Sequence, residues 1–381
     1  MDPINDYPQG YWRVEDRKFI NKYNALLNAT QTKQPVHFVY FDHIWENFDR
    51  SQIGKFPLKE LYKQRAQQLR DSYDYLILYF SGGADSYNVL RSFLDNGIHL
   101  DEICVKWAND VIDRGIYKPN ILEPTALNYL SEWDYAIKPV LDQVSQYHPN
   151  IKIEIVDWFK ERDSIGKEEV FNIVNHWHDV EVTSLAVWSP NEIKLTEQGK
   201  KVAGIYGVDK PQTLFEDNNA YMWFNDSAVT MGTPCPQNVY GTEYFYWSPK
   251  FPILAFEMAS VAINAFKINE EMIALRFTKE ERTNARSFLY KLGQQQKQLR
   301  HIIYDNWTDR YQANKPDQLD RSDKHFWLWK YNELSVFKDS YVDMSNSHYD
   351  QIRPDLLLHS INDGKRLYKM VASKKYLVSK S

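Results

Sequence analysis

Cysteine is scarce in this chain: 381 residues hold two, Cys104 and Cys235. Two cysteines cannot build a disulfide framework, and they are too few for a cysteine-based zinc or iron–sulfur site. Such usage fits a reducing compartment. Long apolar runs are missing as well. Stretches such as 75–80 fall far short of the roughly 20 residues that cross a bilayer. The opening residues Met1-Asp2-Pro3-Ile4-Asn5-Asp6-Tyr7 lack the basic-then-apolar order of a signal peptide. The expectation is a soluble, cytoplasmic protein that does not enter a membrane. Nor is there an excess of positive charge. With 46 Lys and Arg against 51 Asp and Glu, the net charge is −5, which gives no general affinity for nucleic acid. A local basic patch, and with it a nucleotide or nucleic-acid substrate, stays open.

Several catalytic signatures are absent too. No Gly-Lys-Ser/Thr follows a glycine-rich loop, which excludes a Walker-type P-loop, and there is no Gly-x-Gly-x-x-Gly of a dinucleotide fold. The Gly-x-Ser-x-Gly elbow of an α/β-hydrolase is missing, so Ser81 is not a hydrolase nucleophile. His176-Trp177-His178-Asp179 has no companion at metal-site spacing and reads as surface histidines. Aromatic residues, by contrast, are abundant: 12 Trp, 26 Tyr and 19 Phe. Packing accounts for them, and an aromatic-lined cleft is the alternative.

The hydrophobic pattern divides the chain into three parts. Residues 1–70 read as a preface, with a short strand at 36–41 and an amphipathic helix at 58–70. Residues 71–212 alternate strands with helices. Strands are expected at 75–80, 102–107, 151–158 and 202–206, with helices beginning near 84 and over 133–147 and 182–198. Pro139 and Pro190 should break or kink the last two helices. That alternation implies βαβ units and a doubly wound parallel α/β sheet. Residues 213–381 lose the alternation, read as mainly helical over 252–276 and 278–303, and are expected to form a substrate-binding cap. Arg282, Arg286, Lys291, Lys297 and Arg300 give the second of these helices a basic bias that a solvated face explains.

The informative segment is Ser81-Gly82-Gly83-Ala84-Asp85-Ser86, placed between an apolar strand and a helix. Paired glycines allow a sharp turn and a close approach of phosphate oxygens to backbone amides. The helix that follows offers unpaired N–H groups and a partial positive charge. The Ser81 and Ser86 hydroxyls can donate to phosphate. Asp85 repels an anion on its own, which suggests either a Mg²⁺ ligand or a helix cap.

This hexapeptide resembles the signature of the PP-loop ATP pyrophosphatases, a family that includes asparagine synthetase, argininosuccinate synthetase, GMP synthetase and the phosphoadenylyl-sulfate reductases. The resemblance covers residues 72–212 and is carried mainly by the loop. It implies ATP as cosubstrate, a PP-loop fold with Ser81 to Ser86 around the pyrophosphate, and backbone contacts to adenine near Val105. It also implies cleavage between the α and β phosphates: a small-molecule substrate is adenylated, pyrophosphate leaves, and a nucleophile displaces AMP.

A second segment, Gly204-Ile205-Tyr206-Gly207-Val208-Asp209-Lys210-Pro211, lies about 120 residues further on. It is similar to the glycine-rich acidic segment of asparagine-synthetase-like domains, in which an acidic pair follows the second glycine. Here Asp209 keeps one acid and Lys210 replaces the other. By this resemblance Asp209 joins Asp85 in holding Mg²⁺, and Lys210 stabilises the leaving pyrophosphate. The plainer alternative is a strand-end turn with a solvated lysine, which would add little to folding. No amino-terminal nucleophile cysteine, glutaminase domain or Cys-x-x-Cys is present. Glu243-Tyr244-Phe245-Tyr246-Trp247-Ser248-Pro249 resembles a segment of PP-loop proteins encoded by bacteriophages. A reductase-like or nucleotide-hydrolysing enzyme, and a non-catalytic nucleotide-binding module, are the alternatives to a ligase.

Overall fold

In the computed structural model, residues 10–20, 22–107, 133–157, 188–208, 210–216, 219–226, 235, 238, 241–275, 294–295, 297–304, 358–362 and 365–380 are described. The preface opens with β1 (Tyr11–Val14) and β2 (Arg17–Phe19), then α1 (Lys22–Thr32) and β3 (Val36–Val39). The three strands form an antiparallel sheet in the order β2-β1-β3. Only β3 was legible as a strand in the sequence. A short helix, α2 (Asp42–Glu46), leads to α3 (Leu58–Ser72). Leu61, Tyr62, Ala66 and Leu69 of α3 recur at helical spacing, and all four are buried.

The centre of the molecule is a five-stranded sheet in which every neighbouring pair is parallel, in the order β10-β7-β4-β5-β6. Its strands are β4 (Tyr75–Tyr79), β5 (Glu102–Trp107), β6 (Lys152–Asp157), β7 (Val202–Tyr206) and β10 (Thr242–Tyr244). The helices between them are α4 (Ala84–Leu94), α5 (Lys138–Tyr147) and α6 (Pro190–Glu197). From β4 the chain steps one way to β5 and β6, then crosses back to β7 on the other side of β4. Right-handed crossovers therefore put α4 and α5 on one face of the sheet and α6 on the other. Coverage of both faces explains why β4 and β7 are apolar throughout rather than alternating.

Proline sits where a helix tolerates it. Pro139 and Pro190 occupy the first turns of α5 and α6, where an N–H would have no intrahelical acceptor. Pro190 therefore starts a helix, whereas Pro139 stands where a π-helical turn gives way to α-helix, the break expected within 133–147. Ser189 caps α6 by accepting a hydrogen bond from the Asn191 amide. The α5 helix is preceded by a π-helical turn at Trp133–Ile137. Residues 158–187, which include His176 and His178, lie outside the described residues.

Beyond residue 212 the described residues hold strands as well as helices, and most of the expected helix at 278–303, with Arg282, Arg286 and Lys291, lies outside them. Helices α7 (Pro252–Ile268) and α8 (Glu270–Ala274) are present, and residues 297–303 are helical. The same region also supplies six strands: β8 (Gln212–Glu216), β9 (Asn219–Trp223), β10, β11 (Leu358–Asn362), β12 (Lys365–Met370) and β13 (Tyr376–Lys380). β13, β9 and β8 form an antiparallel sheet, β11 and β12 form a hairpin, and β10 completes the central sheet from beyond the expected boundary at 212. In β13, Tyr376 and Val378 are buried while Leu377 and Ser379 are half-buried, which is the period of a one-sided strand. One buried cluster runs from Trp12 to Val378 and crosses both expected boundaries. Among the described residues no helix is long and apolar enough to cross a membrane.

Aromatic side chains hold these parts together. Tyr40, Trp45, Phe224, Trp247 and Tyr376 touch one another ring to ring, joining the preface to β9, β13 and the segment after β10. The polar tie is Arg65 of α3, 1 % exposed, whose Nη2 lies 2.7 Å from the Glu243 carboxylate on β10. Lys250 and the Tyr73 hydroxyl bond the other carboxylate oxygen. Burial alone would raise the Glu243 carboxyl, but the charges of Arg65 and Lys250 and hydrogen bonds from Lys250 and Tyr73 bring it down to about 2.

This pair yields a stability prediction. The folded carboxyl titrates below the roughly 4.3 of an unfolded glutamate, so its stabilisation is complete above that value and lost as pH falls toward 2. Glu243→Gln should cost about 3–5 kcal/mol at neutral pH, because Arg65 is left buried without its counterion. Urea denaturation of both proteins should show that gap narrowing between about pH 5 and pH 2. A gap that stays constant with pH would contradict the ion-pair account.

Candidate functional site

The strand order reverses between β4 and β7, and ligands of doubly wound sheets bind at the carboxyl edge beside such a reversal. Two loops meet there. The first is Ser81 to Ser86, which leaves β4 and enters α4. The second is the segment after β7, beginning at Gly207. They approach so closely that a Cβ on Gly207 would sit 2.9 Å from both the Asp85 carbonyl oxygen and Val89 Cγ2. Gly82 has a φ of +75°, and a Cβ there would lie 2.8 Å from Ile137 Cγ1 at the start of α5. Both positions require glycine, one for backbone proximity and the other for conformation as well. Gly83 differs. It caps α4 in extended geometry, with φ −73° and ψ 163°, and a Cβ would meet only Ser81 Oγ at 3.4 Å.

The loop is ordered by its own hydroxyls. Ser86 Oγ donates to the Gly83 carbonyl at 3.1 Å and accepts from the Ser81 amide at 3.3 Å, while the Ser81 and Ser86 hydroxyls lie 3.2 Å apart. Ala84 and Asp85 begin the first turn of α4, with Ala84 packed in the core. Asp85 is the meeting point of several elements. Its Oδ1 accepts from Lys210 Nζ at 2.7 Å and from the Tyr304 hydroxyl, and its backbone oxygen accepts from the Tyr246 hydroxyl at 2.7 Å. Burial would raise the Asp85 carboxyl, but the Lys210 ammonium, hydrogen bonds from Lys210 and Tyr304, and the charge of Arg300 hold it below the ordinary range. The Nε of Arg300 is buried with no hydrogen-bond partner among the described residues.

Lys210 is therefore not the solvated strand-end lysine of the plainer reading. It is 3 % exposed and paired, because the close approach at Gly207 turns the chain over α4. Asp209, the second expected metal ligand, lies outside the described residues. Mg²⁺ commonly uses one or two carboxylates and completes its shell with water and phosphate oxygens. Asp85 offers one such carboxylate at the loop, and no group of three His, Cys, Asp or Glu gathers among the described residues.

Next to the loops opens a cavity of about 370 Å³, lined by Tyr79, Phe80, Ser81, Asp85, Ser86, Cys104, Lys106, Tyr206, Gly207 and Val208. Its size and mixture of apolar walls with a few polar groups are those of a small-molecule site. Three of the expected residues, Ser81, Asp85 and Ser86, line it, and Gly82, Gly83 and Ala84 carry the chain between them. Val105, expected near adenine, is fully buried between two lining residues, Cys104 and Lys106, and its side chain takes the other face of the sheet. Tyr79 and Tyr206 stack with ring centroids 4.6 Å apart. Behind them Glu192 of α6 accepts from the Tyr79 hydroxyl and from Asn238 Nδ2 at 2.9 Å.

Sequence reasoning did not single out Lys106, Tyr206 or Tyr304 as site residues. For Lys106 a signal existed, since one lysine interrupts the apolar strand Ile103-Cys104-Val105-Lys106-Trp107 near its carboxyl end. Comparisons with protein-family models, with curated proteins and with solved structures find no match.

The two glycine environments make opposite predictions. Gly207→Ala should lower stability by about 1–3 kcal/mol, the range for forcing a methyl into packed surroundings. Gly83→Ala should change it by less than about 1 kcal/mol, since its conformation and space admit a methyl. Denaturant midpoints that fall equally in the two variants would show that the β7 segment does not press on α4 as described.

Proposed function

We propose that this protein uses ATP to adenylate a small substrate, releases pyrophosphate, and passes the activated group to a nucleophile, in the manner of the PP-loop enzymes its glycine loop resembles. One observation carries the reading. Two segments about 120 residues apart in sequence meet across the reversal of the sheet, with Lys210 Nζ 2.7 Å from Asp85 Oδ1 beside the glycine loop. A tight strand-to-helix turn without a ligand would not need a buried lysine brought to its acidic residue.

In this reading the amides at the start of α4 bind the phosphate chain, and the Ser81 and Ser86 hydroxyls turn from each other toward phosphate oxygens. Asp85 holds the Lys210 ammonium where negative charge grows as pyrophosphate departs, a form of preorganised electrostatic stabilisation. Tyr304 and Tyr246 fix Asp85 through its carboxylate and its backbone oxygen. Mg²⁺ held by Asp85 and Asp209 would supply neutralisation of phosphate charge. Tyr79, Phe80 and Tyr206 exclude water from the reacting groups, which strengthens each of these interactions.

Calorimetry and kinetics on three variants test the reading. Gly83→Val should abolish ATP binding with the fold intact, because its extended backbone suits a branched residue while the side chain blocks phosphate. Ser86→Ala should weaken binding by about 1–3 kcal/mol, as expected for a lost hydrogen bond to a charged group. Lys210→Met should reduce turnover about 100-fold or more with a far smaller change in ATP affinity, the pattern of a group that acts in the transition state. It should also lower stability, since Asp85 loses its counterion. ATP affinity unchanged in both loop variants would overturn the site.

A further inference from the structure

Of the five basic residues that the sequence places along 278–303, Lys297 is exposed, as a solvated face requires, but Arg300 is half-buried. Its Nε is buried and has no hydrogen-bond partner among the described residues. A buried donor without an acceptor costs stability, and more so when it belongs to a charged group. The segment that carries it is firmly seated. Leu299, Ile303 and Tyr304 are buried, and the Tyr62 hydroxyl of α3 donates to the Ile303 carbonyl at 3.0 Å. The Tyr304 amide closes the last turn on the Arg300 carbonyl, also at 3.0 Å.

Arg300 and Tyr304 are four residues apart, the spacing that puts two side chains on one helix face. Tyr304 uses that face to reach Asp85, whose carboxylate accepts from its hydroxyl. Arg300 therefore stands beside the first turn of α4, and its charge helps to hold the Asp85 carboxyl low.

Structural roles account poorly for this guanidinium. An arginine in the last turn of a helix can bond the final carbonyls, but its Nε bonds none among the described residues. An arginine kept to neutralise Asp85 would take the place that Lys210 occupies at 2.7 Å. Two cations thus attend one carboxylate, which leaves an excess of positive charge next to the glycine loop and the cavity that Asp85 lines. The planar fork of arginine matches phosphate oxygens, which accept two N–H bonds side by side.

We infer that Arg300 is a phosphate-binding residue, brought by residues 297–304 to the phosphate chain that the first turn of α4 receives. For the source of that phosphate, the pyrophosphate end of ATP, the inference rests on the proposed function. The region beyond residue 212 then contributes a ligand contact as well as support for Asp85. Arg300 and Lys210 divide the work. Lys210 has Asp85 as its partner before any ligand arrives. The Arg300 Nε gains a bond where it had none, so its effect falls on ground-state affinity.

Inorganic pyrophosphate and ATP, each titrated calorimetrically into the full chain in the presence of Mg²⁺, are the probes. Arg300→Met should weaken both about tenfold or more, as expected for a lost charge-assisted hydrogen bond. Arg300→Lys should fall between, since an ammonium keeps the charge but not the fork. Without ligand, the denaturation midpoint of Arg300→Met should stay level or rise, because the substitution removes an unbonded buried donor. A merely structural arginine would do the reverse: the midpoint would fall and both affinities would hold, which would overturn the inference. Pyrophosphate and ATP affinities equal in parent and Arg300→Met would likewise overturn it and leave the proposed function intact. Arg300-dependent pyrophosphate binding by a parent that does not bind ATP would refute the proposed function and leave the phosphate site standing. A parent that binds neither probe would overturn both.

Discussion

The ion pair between Lys210 and Asp85 is the contact on which the candidate site depends. Asp85 opens α4 on one side of the sheet reversal, and Lys210 follows β7 on the other, so the pair ties together the two loops that bound the cleft. Its 2.7 Å separation is possible only because Gly207 lets the β7 segment lie against the first turn of α4. The pair also resolves an electrostatic conflict. An aspartate at a helix N-terminus spoils an anion site unless a cation answers it, and Lys210 supplies that cation from within the protein. Tyr304 adds a hydrogen bond to the same carboxylate oxygen, which makes residues 297–304 part of the site rather than a remote appendage.

Beneath this edge the sheet carries a second polar layer, on the α6 face. Glu102 is wholly buried and is bonded by the Ser189 hydroxyl and by Asn191 Nδ2 at 2.7 Å, while Glu192 is bonded by Tyr79 and Asn238. Buried carboxylates without such partners would cost several kcal/mol, so the network specifies where α6 sits over β4, β5 and β7. The same network fixes the Tyr79 ring from behind. The aromatic stack that forms one wall of the cavity therefore inherits its position from buried hydrogen bonds and not only from packing.

Much of this was legible in the sequence, and the reasons for the rest are specific. The strands β4 and β7 announce themselves because both faces are covered and their residues are apolar in sequence, and β5 and β6 because isoleucine and valine recur between their charged residues; the glycine loop stands out because two adjacent glycines follow an apolar strand and precede a helix. β10 was hidden. It is three residues long, and its central residue is Glu243, an acid that enters the core only because Arg65, 178 positions away, neutralises it. The β8, β9 and β13 strands are as long as β4 and β7, but the pairing of β9 with β13 spans about 150 residues and leaves no local trace. Burial of Lys210 could not be read at all from a local pattern in which lysine after a strand usually meets water. Tyr304 reaches Asp85 across 219 positions, a contact without any local trace.

The central claim is that this arrangement acts on the bond between the α and β phosphates of ATP. Incubation of the full chain with ATP, Mg²⁺ and a mixture of small acids and amines, followed by mass spectrometry of the nucleotides and by phosphorus NMR, tests it directly. The account predicts AMP and pyrophosphate, or an adenylated acid, as the products. Accumulation of ADP and orthophosphate instead would contradict it.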